Sequence, residues 1–522
     1  MFMVQTAALL TLVCGLVVAG DVLAQGEARR AGPQTLLLVD DHHVLYRPGT
    51  KRVLRPLTRH AQNPVIPADK QWEKANAYCS VHRDPQSGKY QLWYQSLAHG
   101  TPEATHVCYA ESDDGIQWVK PELGIHSYGR LTQTNIVVAA EPGQYGASVV
   151  FDPRDPDQAR RYKMALWRNP DGYNRRTSGL GVAFSPDGIH WTRHGQSPLL
   201  PGSFGKSSDT PFVDDAEYRW GDPLALSDVI DAAYDPPRGK FMIYGKTWLD
   251  GPDGKTIWQR AIVRTESDDF IHWSRPQLVM APDEGDGTGV EYQSPIQRSI
   301  KGKVGSGRRG TQLHGGPVFF HSGVYFSLLQ VMDGEITGGM PIELAISRNG
   351  LDWQRPFRKE LFLPVTCDHS TFDAGCIWSS ASPVLLDDEF RFYYGAYSST
   401  WKGAMGKSAT GIGLATLPRD RFAGLRPLHE IGQITLKSLP LAGCPAMTLN
   451  ADASRGTIRV ELLNEHGFRL RGYTKDDAAP ITGDSLRHPV SWREARLDQL
   501  PPGRYRLRLH LENAEVFAIT VQ

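Results

Sequence analysis

The chain has 522 residues and carries 57 Lys plus Arg against 57 Asp plus Glu, a formal net charge of zero. That length allows two or three domains with sizeable cores and needs no metal or disulfide staples. The balanced charge excludes the basic excess that holds a phosphate backbone, so nucleic acid is not an expected partner.

Residues 6–20 are apolar and uncharged, and Val22-Leu23-Ala24 places a small residue before Gln25. The pattern predicts an export signal over residues 1–24, with Gln25 as the first mature residue and a secreted or periplasmic location. A membrane anchor is the competing reading, but the run is shorter than a spanning helix requires. Apart from export no membrane contact is expected. Removing the signal takes away Asp21 alone among charged residues, leaving 57 basic and 56 acidic groups.

Four tetrads recur along the chain, each followed by tryptophan: Ser112-Asp113-Asp114-Gly115 with Trp118, Ser185-Pro186-Asp187-Gly188 with Trp191, Ser267-Asp268-Asp269-Phe270 with Trp273, and Ser347-Arg348-Asn349-Gly350 with Trp353. Their tryptophans are 73, 82 and 80 residues apart, and a fixed period means that one supersecondary unit is copied. Ahead of each tetrad lie three β-type runs separated by turn residues, in the first copy Tyr78-Cys79-Ser80-Val81, Tyr90-Gln91-Leu92-Trp93-Tyr94 and Val107-Cys108-Tyr109-Ala110. A short fourth strand carrying the Trp completes a four-stranded meander, and the Trp is expected to wedge between neighbours. A fifth copy, without Trp, runs through Ser382–Leu386, Phe390–Tyr394 and Gly411–Thr416. The fold class is therefore all-β: a five-bladed β-propeller over residues 25–433. Asp113, Asp187 and Asp268 read as peripheral turn residues.

From about Ile434 the blade pattern gives way to strands at Ala446–Leu449, Thr457–Leu463, Tyr505–Leu511 and Val516–Val521. Arg506, Arg508 and His510 alternate with Leu507, Leu509 and Leu511, the pattern of a sheet with one solvated face, so residues 434–522 are expected to form a C-terminal β-sandwich docked on the propeller. Five cysteines remain after the signal. Cys367 and Cys376, nine apart around a loop, are the pair for a disulfide, whereas Cys79 and Cys108 in strands also fit buried thiols. No Cys/His spacing suits zinc. The Gly-rich stretch 301–310 lacks Walker spacing and reads as a loop beside the funnel.

Asn63-Pro64-Val65-Ile66 with Trp72-Glu73, the Asp-rich turns with their Trp, and Ala415-Thr416-Leu417-Pro418-Arg419-Asp420 resemble the five-bladed glycosidases grouped around glycoside hydrolase families 32, 43, 68 and 117. The closest likeness is to exported bacterial members related to family 32. The resemblance spans about Val39 to Arg426 and implies a glycosidase acting on a poly- or oligosaccharide. The invertase motifs, an Asn-Asp-Pro nucleophile strand and a Glu-Cys acid, are absent. A glycoside phosphorylase and a non-catalytic carbohydrate-binding propeller remain the alternatives.

Glycoside hydrolysis needs one protonated and one ionised carboxyl across the scissile bond. In a propeller the innermost strand of each blade lines the funnel, which makes carboxylates at its start the catalytic candidates: Glu73 before blade one, Asp228 opening blade three and Asp373 entering blade five. Asp231, three residues after Asp228, is expected to face the other way in a regular strand. His314, Arg168, Trp378 and Asp209 are candidate substrate contacts, with Trp378 as a stacking platform for sugar rings. Glu291 is a weaker acid candidate. No cofactor or metal is expected in the chemistry, although an axial calcium ion is compatible with the fold.

Overall fold

A computed structural model describes residues 32–522, apart from 98–103, 171–176, 203–225, 251–256, 287–310, 334–338, 359, 367, 369 and 400–407. The signal segment, Asp209, Glu291, the Gly-rich stretch and Cys367 lie outside the described residues. No helix among the described residues is long and apolar enough to cross a membrane.

The repeated tetrad is a self-contained turn. In the first copy Ser112 Oγ accepts the amide of Gly115 (2.8 Å), while Asp114 Oδ1 accepts those of Ile116 (2.7 Å) and Gln117 (2.8 Å). Asp187, Asp269 and Asn349 repeat the second role. The recurring acceptor is thus the third residue of the tetrad, not Asp113 or Asp268, because only the third can reach both following amides. The fourth residue has positive φ: 73° at Gly115, 79° at Gly188, 71° at Gly350 and 68° at Phe270. Its carbonyl faces the preceding blade, where Gly115 O accepts from Tyr393 Oη (2.8 Å), Gly188 O from Trp93 Nε1 (2.6 Å) and Gly350 O from Tyr244 Oη (2.6 Å). The tryptophans pack edge-on against these same rings, Trp118 on Tyr393, Trp191 on Trp93 and Trp353 on Tyr244. They are wedges between blades, as expected.

Five antiparallel sheets follow in chain order. Their inner strands are Asn76–Arg83, Tyr145–Phe151, Ile230–Asp235, the split pair Thr311–Gly315 and Val318–His321, and the split pair Cys376–Trp378 and Val384–Leu385. Blade one differs from expectation in that its fourth strand is Ile136–Pro142, well beyond Trp118. Neighbouring inner strands belong to separate sheets, so serine hydroxyls replace the missing ladder. Ser382 Oγ accepts from Val81 N (2.9 Å), Ser80 Oγ donates to Ala147 O (2.8 Å), and Ser148 Oγ accepts from Ala232 N (2.7 Å). Each bond joins one blade to the next and satisfies a buried backbone group.

Blade five is closed by the N-terminal side of the chain: Thr58–Arg59 and Ile66–Pro67 pair with its outer strand Thr410–Pro418. Asn63 extends this seam with its side chain, since its Nδ2 donates to Leu414 O (2.9 Å) and its Oδ1 accepts from Leu414 N (2.8 Å).

The remaining strands form a 9-stranded antiparallel sheet. Its long member Met447–Asn464 pairs first with Glu515–Val521 and then, past a register break between Ala453 and Ile458, with Tyr505–Glu512. One strand so contributes to both layers around a core of Leu449, Val460, Leu507, Leu509 and Ile519. Three strands ahead of the propeller, Gln34–Leu37, Val44–Tyr46 and Thr50–Leu54, also belong to this sheet, as does Ala423–Pro427. The division at residue 433 expected from sequence therefore does not follow the sheets. The blade pattern begins only after Leu54, and edge strands of three to five residues carry too little periodicity to show their partner.

Candidate functional site

The inner strand of blade three brings the chemistry together. Asp228 precedes it, with 36% of its side chain accessible. It forms an ion pair with Lys246, whose side chain is only 4% accessible, and accepts from Ser227 Oγ (3.0 Å). Burial opposes its charge, but Lys246, aided by the Ser227 hydroxyl, overrides that penalty and holds the carboxyl well below the ordinary carboxylate range. Lys246 and Trp248 lie two apart on the second strand of the blade, so they share a face. The Trp248 indole donates to Ser227 Oγ (3.2 Å) and lies near both Lys246 Nζ (5.3 Å) and the Arg260 guanidinium (4.4 Å).

Blade four adds His314. Its Nδ1 faces Gln330 Oε1 (3.2 Å), and Gln330 Nε2 donates to Ser379 Oγ (3.2 Å) of blade five. An amide oxygen opposite Nδ1 fixes the proton there and leaves Nε2 as an acceptor. Burial, reinforced by Lys246 and Arg260, pushes the imidazole down to about 3, so it is neutral.

Asp231, expected by strand alternation to face away from Asp228, has Tyr78 in common with it as an electrostatic neighbour. Regular alternation does not connect it to Asp228, because the strand starts at Ile230. Asp231 is buried, and its Oδ2 has no partner among the described residues. Burial alone pushes its carboxyl up to about 8. Tyr78, on the inner strand of blade one, is raised by burial and by the charges of both Asp228 and Asp231, which places its phenol beside the pair. At the head of that strand Asn76 is fully buried with both side-chain amide atoms unpartnered, a ready contact for a hydroxyl.

Glu73 and Asp373 line a different cleft, of about 640 Å³, together with Arg59, Lys74, Thr371 and Thr410. Glu73 Oε2 pairs with Lys120 (2.7 Å) and accepts the amides of Asp69 and Lys70 (both 3.0 Å), while Oε1 accepts from Tyr94 Oη. Asp373 Oδ2 accepts from Arg59 Nε (2.6 Å) and Tyr394 Oη (2.9 Å). Glu73 and Asp373 share that cleft, and Asp228 is not among its lining residues. Arg168 is held by Glu141 (3.1 Å) between blades one and two. Trp378 is only 5% exposed and lies 4.2 Å from the Tyr397 ring, which makes it core beneath the funnel rather than an open platform. Of the proposed contacts among the described residues, His314 stands beside Asp228, and Trp378 meets the Tyr78 ring edge-on (6.3 Å).

Lys246, Trp248, Arg260 and Tyr78 were not singled out from the sequence, and Asp231 was set aside there. One signal was present: a Lys closing the buried run Phe241-Met242-Ile243-Tyr244-Gly245 needs a buried counter-ion. Among the described residues no group of three or more His, Cys, Asp or Glu is placed to hold a metal ion.

No protein-family model matches the chain, and no curated protein matches it by sequence. Among solved structures it is similar to an N-acetylgalactosamine deacetylase from F. plautii in complex with blood group B trisaccharide, at 16% identity over 70% of this chain and 96% of that one, with a TM-score of 0.45. A structure reported for the GH130 family of mannoside phosphorylases and glycoside hydrolases is 15% identical over 69% and 94% of the two chains (TM-score 0.41). A thermostable family-43 glycoside hydrolase is 14% identical over 65% and 88% (TM-score 0.41). At that distance the side chains of the funnel, not the neighbours, decide what this chain can do.

Proposed function

We propose that the chain is a glycoside hydrolase that cleaves a poly- or oligosaccharide with the carboxyl pair Asp228 and Asp231. The observation that carries this reading is the opposed state of the two groups: Asp228 is ionised by Lys246, and Asp231 is kept protonated by burial. Environments that push two neighbouring carboxyls apart assign acid and base. Asp231 donates its proton to the glycosidic oxygen as the C1–O bond breaks. Asp228 acts at the opposite side, on C1 or by taking the proton of the attacking water, and the anomeric configuration of the product tells which. Trp248 and Tyr78, both partly exposed, offer ring faces to the sugar, and His314 Nε2 accepts from a hydroxyl. The apolar segment 6–20 supports a secreted or periplasmic place of action.

A second reading has its own support. Lys246, Arg260 and His314 gather beside Asp228, the kind of cluster that would hold inorganic phosphate in place of water in a glycoside phosphorylase. One experiment separates the two. Reducing-sugar release is measured over a glycan panel, with and without phosphate, for wild type, Asp228→Asn and Asp231→Asn. Hydrolysis predicts phosphate-independent release and a fall of about 10²- to 10⁴-fold in kcat for each variant. Sugar phosphate formed only with phosphate selects the phosphorylase. Sugar binding without turnover in wild type selects a binding propeller, and unchanged turnover in both variants removes this pair from the chemistry.

A further inference from the structure

The outer face of the C-terminal sheet gathers charged side chains around one buried carboxylate. Its strand register puts Tyr46, Thr435, Arg508 and Glu461 in one row across four strands, with Gln433, His510 and Arg459 in the next row. Arg506 stands opposite Leu463, beside the turn at Gly467. At the centre Glu461 is fully buried and receives Arg469 (3.0 Å), His510 (3.1 Å) and Arg508 (3.4 Å). Arg508 also donates to Tyr46 Oη (2.6 Å) and Thr435 Oγ1 (3.2 Å). One carboxylate therefore orients several cations without neutralising them. Arg459, Arg469, Lys475, Arg506 and Arg508 face Glu461 and Glu512, an excess of positive charge on a chain whose overall charge is zero. The turn acid Glu465, near His466 (3.6 Å), is a third carboxylate, still fewer than the five cations.

Apolar groups rim the same patch. Three of the nine exposed large hydrophobic side chains among the described residues are here: Ile431 (74%), Phe468 (70%) and Tyr46 (41%). Ile431 pairs with Glu512 and so lies on this face, and Phe468 is on the turn beside Arg506. Cations between exposed rings match a polymer that alternates anionic groups with the C–H faces of sugar rings. A neutral glycan leaves the arginines unanswered.

We propose that this face is a binding site for an anionic polysaccharide, one bearing uronate or sulfate groups, separate from the funnel. Binding here needs no turnover, so its outcome is independent of the role of Asp228 and Asp231. The test is affinity electrophoresis of the full chain through gels containing polygalacturonate, heparin or neutral dextran, with duplex DNA and phosphatidylserine vesicles as competitors. Wild type is expected to be retarded by polygalacturonate or heparin at low salt, the arm that retards it naming uronate or sulfate, and to be released at about 0.5 M salt. Arg506→Ser with Phe468→Ser should weaken that binding about tenfold at unchanged melting temperature. If this double variant melts early, Arg469→Ser, at a side chain 60% accessible, carries the same test. Absence of retardation at low salt, equal retardation by dextran, preference for DNA or vesicles, or full binding by folded variants would overturn the proposal.

Discussion

Asp231 shows how far one buried side chain can set the pH behaviour of the molecule. Its carboxyl is pushed from 3.8 to about 8 by burial, so between those values the folded chain holds a proton that the unfolded chain has released. Stability must then fall as pH rises through that window, by up to ~1.4 kcal/mol per unit. Asp231→Asn removes the dependence, and its melting temperature should exceed that of wild type most clearly near pH 8. Parallel profiles in a thermal scan from pH 5 to pH 9 would contradict the assignment. As the proton donor, the same group makes kcat/KM of wild type fall above about pH 8. Lys246 governs the other limb. With Lys246→Met, Asp228 loses the counter-charge that overrides its burial, so its pKa rises and the acid limb of the pH–rate profile moves toward neutrality; an unmoved limb would show that Asp228 does not titrate in catalysis. Of the site, Asp228 and His314 were legible in the sequence because one lies just ahead of an inner strand and the other within one. Glu73 and Asp373 lie ahead of inner strands too, yet they are spoken for by Lys120 and Arg59, partners 47 and 314 residues away that no local pattern reveals.

The blades illustrate a rule that operates between elements. At the same position of the second strand, blades one, three and five carry Trp93, Tyr244 and Tyr393, and the following tetrad ends in Gly188, Gly350 and Gly115. Blade two carries Ala165 there, and the tetrad that follows ends in Phe270, fully buried in the same core as Ala165. A large ring thus meets a glycine, and a small side chain meets a phenylalanine. A Cβ on Gly188 would lie 2.6 Å from the Trp93 ring, at a φ of 79°. Gly188→Ala should therefore cost at least about 2 kcal/mol. Phe270→Ala, which empties the complementary slot, should cost about 3 to 5 kcal/mol. Urea unfolding checks both, and Gly188→Phe combined with Trp93→Ala should be less damaging than the sum of its parts; simple additivity would mean that the two positions do not compensate. The meander was legible because tetrad and Trp recur at a near-constant spacing. The closing strands Thr58–Arg59 and Ile66–Pro67 were not, since two residues cannot display a period.

Across the whole molecule, propeller and sheet share one apolar core rather than meeting as separate bodies. Leu37, Val39 and Leu54 from the N-terminal strands and Ala518 from the last strand lie in one apolar cluster with Phe319, Phe326, Phe392 and Phe422 of blades four and five. Arg348 of blade four grips Asp40 (2.6 Å), and Arg55 reaches Glu515 (2.5 Å). The chain therefore runs from the sheet into the seam of blade five, around the propeller, and back into the sheet. Cutting at residue 433 would leave Gln34–Leu37 and Val44–Tyr46 without their partners, strip Ala423–Pro427 of its neighbour Glu515–Val521 on one side, and expose Leu36, Val44 and Leu425, which are buried in the sheet core. Unpaired apolar edges of that kind aggregate. Calorimetry of the full chain should accordingly show one cooperative transition, and a truncation to residues 25–433 should be insoluble although it holds every blade. Two resolved transitions, or a soluble 25–433 fragment with native near-UV circular dichroism, would mean that the shared cluster does not couple the two parts. The expected single transition follows from continuity of packing, because a core whose side chains come from both ends of the chain cannot lose one end and keep its density.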